Sequence, residues 1–220
     1  SAIERCGYRP VQDLLAYGLD GGTLAIPRVM RALIARSGDR VNVRSMGSKS
    51  KGAELESMRD IFNDAWENNW NFTPFTKEEF DLIGKEILLA APKDFIQIAE
   101  VDGEDAAFIV LLPNINESIA DLNGRLLPFG WARLFWRLKV GFPKSARVAL
   151  MGVRQKYQNT RFGPALAYMI INAVMEAGKA KGLERVEMSW ILDHNHGVRN
   201  IIESVGGQIT KRYRMYEKEL

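Results

Sequence analysis

The stretch MGVRQKYQNTRFG, residues 151–163, joins the end of an apolar segment to a polar turn and a glycine that precedes a second apolar segment. This order predicts a strand, a loop and the first turn of a helix. A helix N-terminus offers unpaired N–H groups and a partial positive charge, which suit a phosphate. Residues 158–163 would supply the turn, although Arg161 stands where a phosphate-binding loop favours glycine. The stretch therefore predicts an anion-binding loop of altered sequence.

The flanking segments must position this loop. Residues 146–153 predict a strand, and residues 164–180 predict a helix that is apolar nearly all round and therefore buried. Gly152 inside the strand predicts a bulge or a close backbone approach, and a bulge would open a slot for an extended ligand. Arg161 fits if its backbone avoids positive φ, and its guanidinium can donate to a phosphate. Pro164 removes one N–H from the helix start.

The order of elements from residue 41 is β-α-α-β-β-insert-β-α-β-α-β, which predicts an α/β fold. The predicted strands are 41–46, 95–100, 106–112, 146–153, 185–192 and 208–218, and the predicted helices are 54–70, 76–91, 116–122, 164–180 and 197–204. The insert, at about 113–145, contains an aromatic and basic segment, 131–139, that predicts an amphipathic helix covering the sheet. Alternatively, the insert shapes an apolar ligand pocket, or lies on a membrane surface.

Composition narrows the expected partners. The net charge of +3 across 220 residues is too mild to indicate nucleic acid, but it is compatible with an anionic ligand. A single cysteine, Cys6, excludes an internal disulfide and suggests a reducing compartment. The apolar runs are too short to span a bilayer. With two histidines and no cysteine near them, a metal site is not expected. We expect a cytoplasmic protein without nucleic acid or integral membrane association.

The first residues echo the last ones. ERCGYRPVQDLLAY (4–17) aligns without a gap to ESVGGQITKRYRMY (203–216), and each segment has a helix-ending glycine followed by a strand that ends in tyrosine. We predict that residues 1–22 are a strand-like tail left from a preceding domain of the same kind. Residues 23–38 form a linker helix, and residues 39–220 form the main domain. The alternative is an N-terminal strand that adds to the sheet edge.

The loop QNTRFG, 158–163, resembles the Q/R-x-x-G-x-G/A motif of the GCN5-related N-acetyltransferase superfamily. Gly152-Val153 resembles that family's strand end, and DHNH, 193–196, with a short helix and Gly206-Gly207, resembles its C-terminal pattern. The segments NGRLLPFGW and SWILDHNHGVRNIIESVGG are similar to an uncharacterised bacterial branch. The resemblance covers roughly 41–220 and implies an acyl-CoA N-acyltransferase fold with a mixed central sheet flanked by helices. Ile202 stands where many members have a tyrosine as general acid.

The resemblance implies acetyl-CoA or another acyl-CoA as co-substrate and no metal. It places the cofactor against the following residues: Met151, Val153, Gln158, Asn159, Thr160, Arg161, Phe162, Gly163 and Asn195. The implied reaction is direct attack of an amine on the thioester, with the backbone N–H near Val153 stabilising the oxyanion. Since a lysine-type amine has a pKa near 10.4, the amine must first lose a proton.

Candidate proton-transfer groups are Glu187 and Ser189, which are two apart and share a strand face, together with Tyr213 and Glu117. The expected acceptor is a small-molecule or peptide amine, and a homodimer is the expected assembly if the chain associates. Two alternatives are kept. One is a non-catalytic member that binds a ligand or a protein. The other is a transferase that takes a long acyl chain from acyl carrier protein, as the aromatic insert and the basic loop suggest.

Overall fold

The computed structural model describes residues 2–21, 27–125, 127–139 and 141–219. Parts of the predicted tail, linker and insert, at 22–26, 126 and 140, lie outside the described residues. The strands are β1 (Arg9–Asp20), β2 (Val41–Ser45), β3 (Ile96–Val101), β4 (Glu104–Pro113), β5 (Ser145–Val153), β6 (Arg185–Leu192) and β7 (Gln208–Glu217). They form one seven-stranded mixed sheet, so the predicted α/β fold is confirmed.

The helices follow the predicted order. They are α1 (Ala2–Arg5), α2 (Arg28–Ser37), α3 (Lys51–Trp66), α4 (Lys77–Ala90), α5 (Ile115–Ile119), α6 (Gly130–Lys139), α7 (Gln155–Gln158), α8 (Phe162–Ala180) and α9 (His196–Ser204). Thr76 and Glu79 form a reciprocal capping box at the start of α4. The short helix α7 was not predicted, because the polar residues 155–158 were interpreted as part of a turn.

The N-terminal strand lies inside the sheet. The strand order is β2-β3-β4-β5-β6-β1-β7, and β1 is antiparallel to both β6 and β7. Leu15, Tyr17 and Leu19 of β1 are buried in the core. The alternative that this segment extends the sheet edge is therefore wrong, since the described edges are β2 and β7. The tail and the main domain share one core.

The parallel pair β5 and β6 separates partway along its length. The ladder runs from Ser145–Arg185 to Val148–Met188 and goes no further. The register between β4 and β5 shifts at this point, because Val110 pairs with Leu150 whereas Leu111 pairs with Val148. The extra residue is Ala149. The bulge therefore lies three residues before Gly152, which is the position that the sequence suggested. A bulge bends its strand locally, which fits the point of separation.

A buried ionic cluster fixes the loop between β2 and α3. The Arg44 guanidinium donates to the carboxylates of Glu54, Glu100 and Asp105 at 2.7–2.9 Å. Glu54 is fully buried, and it also accepts the backbone N–H groups of Gly47 and Lys49. Every charge in the cluster faces an opposite charge or a hydrogen-bond donor, which offsets the cost of burial.

Candidate functional site

The separation of β5 and β6 opens a cavity of about 1060 Å³. Its walls come from residues 147–153 of β5 and 188–192 of β6, with α3, the start of α8, and α9 closing the sides. Most of the lining side chains are apolar, and Leu14 of β1 and Met215 of β7 extend the wall across the sheet. Large apolar cavities with a few polar groups are the usual form of a ligand site.

The backbone of β5 presents polar groups to this slot. Arg154 N–H donates to the Ala106 carbonyl. Hydrogen-bonded residues alternate along an antiparallel pair, so Gly152 also bonds to β4, whereas the backbone N–H and C=O groups of Met151 and Val153 point away from β4. The carbonyls of Met151 and Val153 accept from the Trp66 indole (2.9 Å) and the Gln158 amide (2.8 Å). The N–H groups of Met151 and Val153 face the slot, where β6 no longer pairs.

Gly152 serves close packing rather than a bulge. A Cβ at this position would lie 3.3 Å from atoms of Ile61, Ala65 and Phe108. The missing side chain therefore lets α3 approach β5 closely, which brings Trp66 to the Met151 carbonyl. The predicted close backbone approach is confirmed, and the approaching element is a helix.

The loop before α8 is tightly closed on itself. Arg161 has φ −59° and ψ −22°, so its backbone avoids the left-handed region as expected. The Thr160 hydroxyl accepts the N–H of Phe162 (3.1 Å) and donates to the Tyr157 carbonyl (2.8 Å). Gly163 N–H donates to the Thr160 carbonyl at 3.2 Å. Together with Pro164, these bonds leave fewer free N–H groups than a glycine-rich phosphate loop has.

Arg161 lies beside the cavity rather than in its wall. Its guanidinium is 5.3 Å from the centroid of the Phe162 ring, and the Arg40 guanidinium is 5.1 Å from the same ring. Arg40 is also paired with Asp102 at 2.6 Å. Two guanidinium groups thus sit near the loop, and cations at a helix N-terminus add to its attraction for an anion.

Asn195 caps α9 and also lines the cavity. Its side-chain oxygen accepts the Val198 N–H at 3.2 Å, as an N-cap residue does. The cavity wall includes Asn195 among the residues from α9. The capping bond fixes the amide plane, so the amide nitrogen is held in a defined direction.

Glu187 and Ser189 form the polar pair predicted from their spacing. The Ser189 hydroxyl donates to Glu187 at 2.7 Å, and Lys211 of β7 donates to the second carboxylate oxygen at 3.1 Å. Met188, the residue between them, pairs with Tyr17, whose hydroxyl donates to Glu203 of α9. Because side chains alternate along a strand, Met188 lies on the face towards α9, and Glu187 projects from the opposite face of the sheet. Burial raises the pKa of the Glu187 carboxyl, but hydrogen bonds from Ser189 and Lys211 outweigh it and leave the pKa below its usual value.

An aromatic and cationic stack lies next to this pair. The Arg147 guanidinium is 4.6 Å from the centroid of the Trp190 ring, and the Tyr213 ring meets Trp190 edge-on at 6.1 Å. Arg147 and Trp190 line the cavity, and Tyr213 reaches it only through Trp190. Sequence reasoning missed Arg147, Trp190 and Lys211, because only the strand register shows that they meet.

A second hydroxyl pair lies in the cavity wall between α8 and α9. The hydroxyls of Tyr168 and Ser204 form a hydrogen bond, and both residues line the cavity with Ile202. No sequence pattern indicated them, since Tyr168 lies in an apolar helix where tyrosine is usual in a core. They place hydroxyl groups near Ile202, the position at which the sequence resemblance would lead one to expect a tyrosine.

The structure brings most of the predicted site residues together. The cavity wall contains Met151, Val153, Gln158, Asn159, Gly163, Ser189 and Asn195. It does not contain the predicted residues Thr160, Arg161, Phe162, Glu187 and Tyr213, which lie beside it. Glu117 lies elsewhere, because its carboxylate accepts from Lys144 N–H and the Ser145 hydroxyl at the far end of β5. Among the described residues, no group of His, Cys, Asp and Glu is placed to hold a metal ion.

The described helices of the insert take neither of the two positions favoured from sequence. The described parts of α5 and α6 contribute no residue to the cavity wall. The predicted helix forms as α6, but Trp131, Phe135 and Trp136 are exposed, so its aromatic face does not cover the sheet as expected. None of the described helices could span a bilayer.

Two curated bacterial proteins are similar to nearly the whole chain. It is 44% identical over 218 residues to protein YghO of Escherichia coli K12, and 41% identical over 219 residues to the bacterial ceramide synthase of Caulobacter vibrioides. Each alignment covers 99% of this chain but 56% and 57% of the relatives, so the chain spans little more than half of their length. No family model matches the chain.

Solved structures identify the fold. A GCN5-related N-acetyltransferase from Sphaerobacter thermophilus superposes with a TM-score of 0.61 at 13% identity, over 98% of this chain and 54% of that one. The aminoglycoside N-acetyltransferase AAC(6')-Iy, in complex with CoA, superposes with a TM-score of 0.52 at 18% identity, over 89% of this chain and all of that one. At these identities the likeness concerns the fold.

Proposed function

Because this chain has the fold of the GCN5-related N-acetyltransferases, we propose that it transfers an acyl group from coenzyme A to an amine. The observation that carries the proposal is the separation of β5 and β6 beyond Val148 and Met188, which opens the cavity beside the N-terminus of α8. A slot bounded by free strand backbone suits an extended amide-containing chain such as pantetheine, and the helix N-terminus suits its phosphates.

The donor would lie along β5. The slot-facing N–H groups of Met151 and Val153 suit the amide carbonyls of an extended chain, and the Asn195 amide faces the same cavity. We assign Gln158, Asn159 and Gly163 to the turn that approaches the pyrophosphate. Thr160 and Phe162 shape the turn. Because the closed loop has few free N–H groups, the Arg161 guanidinium supplies positive charge for the pyrophosphate.

The reaction forms an amide bond and breaks the C–S bond of the thioester. The amine nitrogen attacks the carbonyl carbon, and the charge that develops on the carbonyl oxygen is stabilised by a slot-facing N–H of β5. The amine proton passes towards Glu187, with Ser189 as the hydroxyl between carboxylate and cavity. The lowered pKa keeps Glu187 ionised at neutral pH. The leaving thiolate takes a proton from the hydroxyl pair Tyr168–Ser204 or from water, since Tyr213 lies behind Trp190.

We further propose that both substrates carry long hydrocarbon chains. A ceramide is the amide of a fatty acid and a long-chain amino alcohol, and the Caulobacter relative carries the name ceramide synthase. The cavity agrees with this choice, since its volume of about 1060 Å³ lies at the upper end of the range of about 300–1,000 Å³ for small-molecule sites. Phe62, Trp66, Trp70 and Met215 give it an apolar wall.

Amine-dependent release of free coenzyme A tests the proposal. The assay compares acetyl-CoA with a long-chain acyl-CoA, each with a long-chain amino alcohol and with a short amine. A thiol reagent would also react with the exposed Cys6, so Cys6→Ser serves as the background protein. We expect turnover to be fastest with the long-chain pair. Calorimetry that shows no binding of any acyl-CoA would exclude the whole proposal.

Glu187→Gln separates the catalytic role from the fold. We expect kcat to fall by about 10²–10⁴-fold, which is the usual contribution of a general base. Glu184→Gln is the matched control, because Glu184 lies just before the same strand and pairs with Lys144 at 2.9 Å on the surface. Equal activity of the two variants would remove Glu187 from the mechanism.

Two other functions stay as alternatives. A non-catalytic binding protein is favoured by Ile202 and the closed loop, and would bind coenzyme A without turnover on any amine. A transferase that uses acyl carrier protein is favoured by the basic residues Arg154, Lys156 and Arg161 of the loop. Turnover with the acyl carrier protein thioester, but not with acyl-CoA, would select it.

A further inference from the structure

A cluster of large apolar side chains is exposed on the insert. The exposed fractions are 79% for Leu127, 77% for Phe129, 58% for Trp131, 63% for Phe135 and 64% for Trp136. We call these five residues the aromatic surface. Single exposed apolar residues are ordinary, but five within ten positions of the sequence indicate an interaction site.

The orientation of α6 follows from its ion pairs. At 100° per residue, Trp131, Phe135 and Trp136 occupy an arc of about 140°, and Arg133 and Arg137 lie beyond it. Both arginines bind Asp121 in the segment after α5, with one Arg137 nitrogen 2.8 Å from the carboxylate. Arg137 also donates to the Ser118 carbonyl at 2.9 Å. The helix is therefore held by its polar side, which turns the aromatic arc outward.

The charge around the aromatic surface is mainly positive. Residues 125–139 contain four basic residues and no acidic residue. Arg125, just before Leu127, is exposed. Asp121 neutralises part of this charge, and the remainder favours a partner with anionic groups. Aromatic rings beside arginine and lysine are the composition of segments that lie at a membrane surface.

We propose that the aromatic surface docks the protein onto an anionic lipid bilayer. Ten residues of α6 extend about 15 Å, half of the hydrocarbon thickness of about 30 Å, so the helix lies in the interface and does not span it. Phe129, Trp131, Phe135 and Trp136 enter the boundary between headgroups and acyl chains, and the exposed side chains of Arg125 and Arg133 contact the lipid phosphates. This docking is independent of the acyl transfer proposed above.

Vesicle co-sedimentation tests the docking. The full chain is mixed with vesicles of phosphatidylcholine, or with vesicles in which about a quarter of that lipid is replaced by phosphatidylglycerol. We expect tighter binding to the anionic vesicles, and weaker binding as salt rises, because surface charges are screened. Replacing Trp131, Phe135 and Trp136 together by serine should weaken binding by at least about tenfold.

The matched control replaces exposed leucines on another helix. Leu82 and Leu89 of α4 are 59% and 88% exposed, and their replacement by serine should leave vesicle binding unchanged. A measurement on the unmodified chain covers the case of a misfolded variant: lipids brominated in the acyl chain should quench its tryptophan fluorescence.

Three results would overturn the proposal. The first is the absence of both sedimentation and quenching with either vesicle composition. The second is an equal loss of binding in the α4 control. The third is that the aromatic surface mediates a different contact, shown by a concentration-dependent dimer or by retention on immobilised acyl carrier protein, without vesicle binding.

Discussion

Gly163 is the one position of the loop where a single added methyl group tests the site. A Cβ at Gly163 would lie 2.6 Å from the Gln158 carbonyl oxygen and 2.7 Å from the Tyr157 carbonyl oxygen, whereas ordinary contacts begin at 3.4 Å. These backbone atoms would have to retreat by about 0.7–0.8 Å, the difference between those distances. Overpacking of this kind costs about 1–3 kcal/mol. Gly163→Ala should therefore displace α7 from the start of α8.

Two measurements report the displacement of α7 from the start of α8. The melting temperature should fall by roughly 2–12 °C, since 1 kcal/mol corresponds to about 2–4 °C for a chain of this size. The affinity for coenzyme A, measured by calorimetry, should fall by about tenfold or more, because the N-terminus of α8 moves away from β5. A one-ångström misplacement at a site is enough for such losses.

Gly52→Ala is the matched control for this change. Gly52 lies in the first turn of α3, and no heavy atom lies within 4 Å of a Cβ built there. Alanine should leave ligand affinity unchanged and should stabilise the helix by about 0.5–1 kcal/mol. If Gly163→Ala bound coenzyme A as tightly as Gly52→Ala and melted at the same temperature, the loop would not be the phosphate site.

Three further changes probe the charged groups. Glu54→Ala should lower the free energy of unfolding by about 3–5 kcal/mol in urea titrations, because it leaves the buried Arg44 with fewer partners. Burial raises the pKa of Asp105, but Lys49, Ser57 and Arg44 outweigh it and hold the pKa below 3.8. The stabilisation from Asp105 is then present above pH 3.8 and is lost as the pH falls through the lower folded pKa. The difference in unfolding free energy between wild type and Asp105→Asn should therefore shrink below about pH 4. Arg161→Ala should weaken coenzyme A binding with a reduced salt dependence, measured by calorimetry at two ionic strengths; unchanged binding would place its guanidinium on Phe162 alone.

Local patterns predicted the order of elements well. The capping box of α4 and the apolar helix α8 each depend on neighbours in sequence. The β5–β6 slot was also predicted in outline, since the resemblance located its strand and loop. What sequence could not give is the register, which places the bulge at Ala149 and leaves Gly152 for the approach of α3.

The polar face around Glu187 shows the same limit. Arg147, Glu187 and Lys211 lie on three different strands, and β1, from the other end of the chain, separates β6 from β7. Lys211 still reaches Glu187 at 3.1 Å, because Gly18 of β1 pairs with Glu187 and presents no side chain between them. A Cβ at Gly18 would lie 2.9 Å from the Thr210 side chain. No spacing within one segment encodes this three-strand contact.

The position of β1 gives the N-terminal prediction a physical meaning. Both echoing segments have a helix, a glycine with positive φ (Gly7 and Gly206) and a strand, and the two strands pair antiparallel from Arg9–Glu217 to Gly18–Gln208. Their origin in a preceding domain stays a prediction. Without β1, the sheet would divide between β6 and β7, and the cavity would lose the wall at Leu14. The site proposed for residues 39–220 needs a strand from outside that range. A change in how β1 is held in the sheet would therefore reach the proposed site through Leu14.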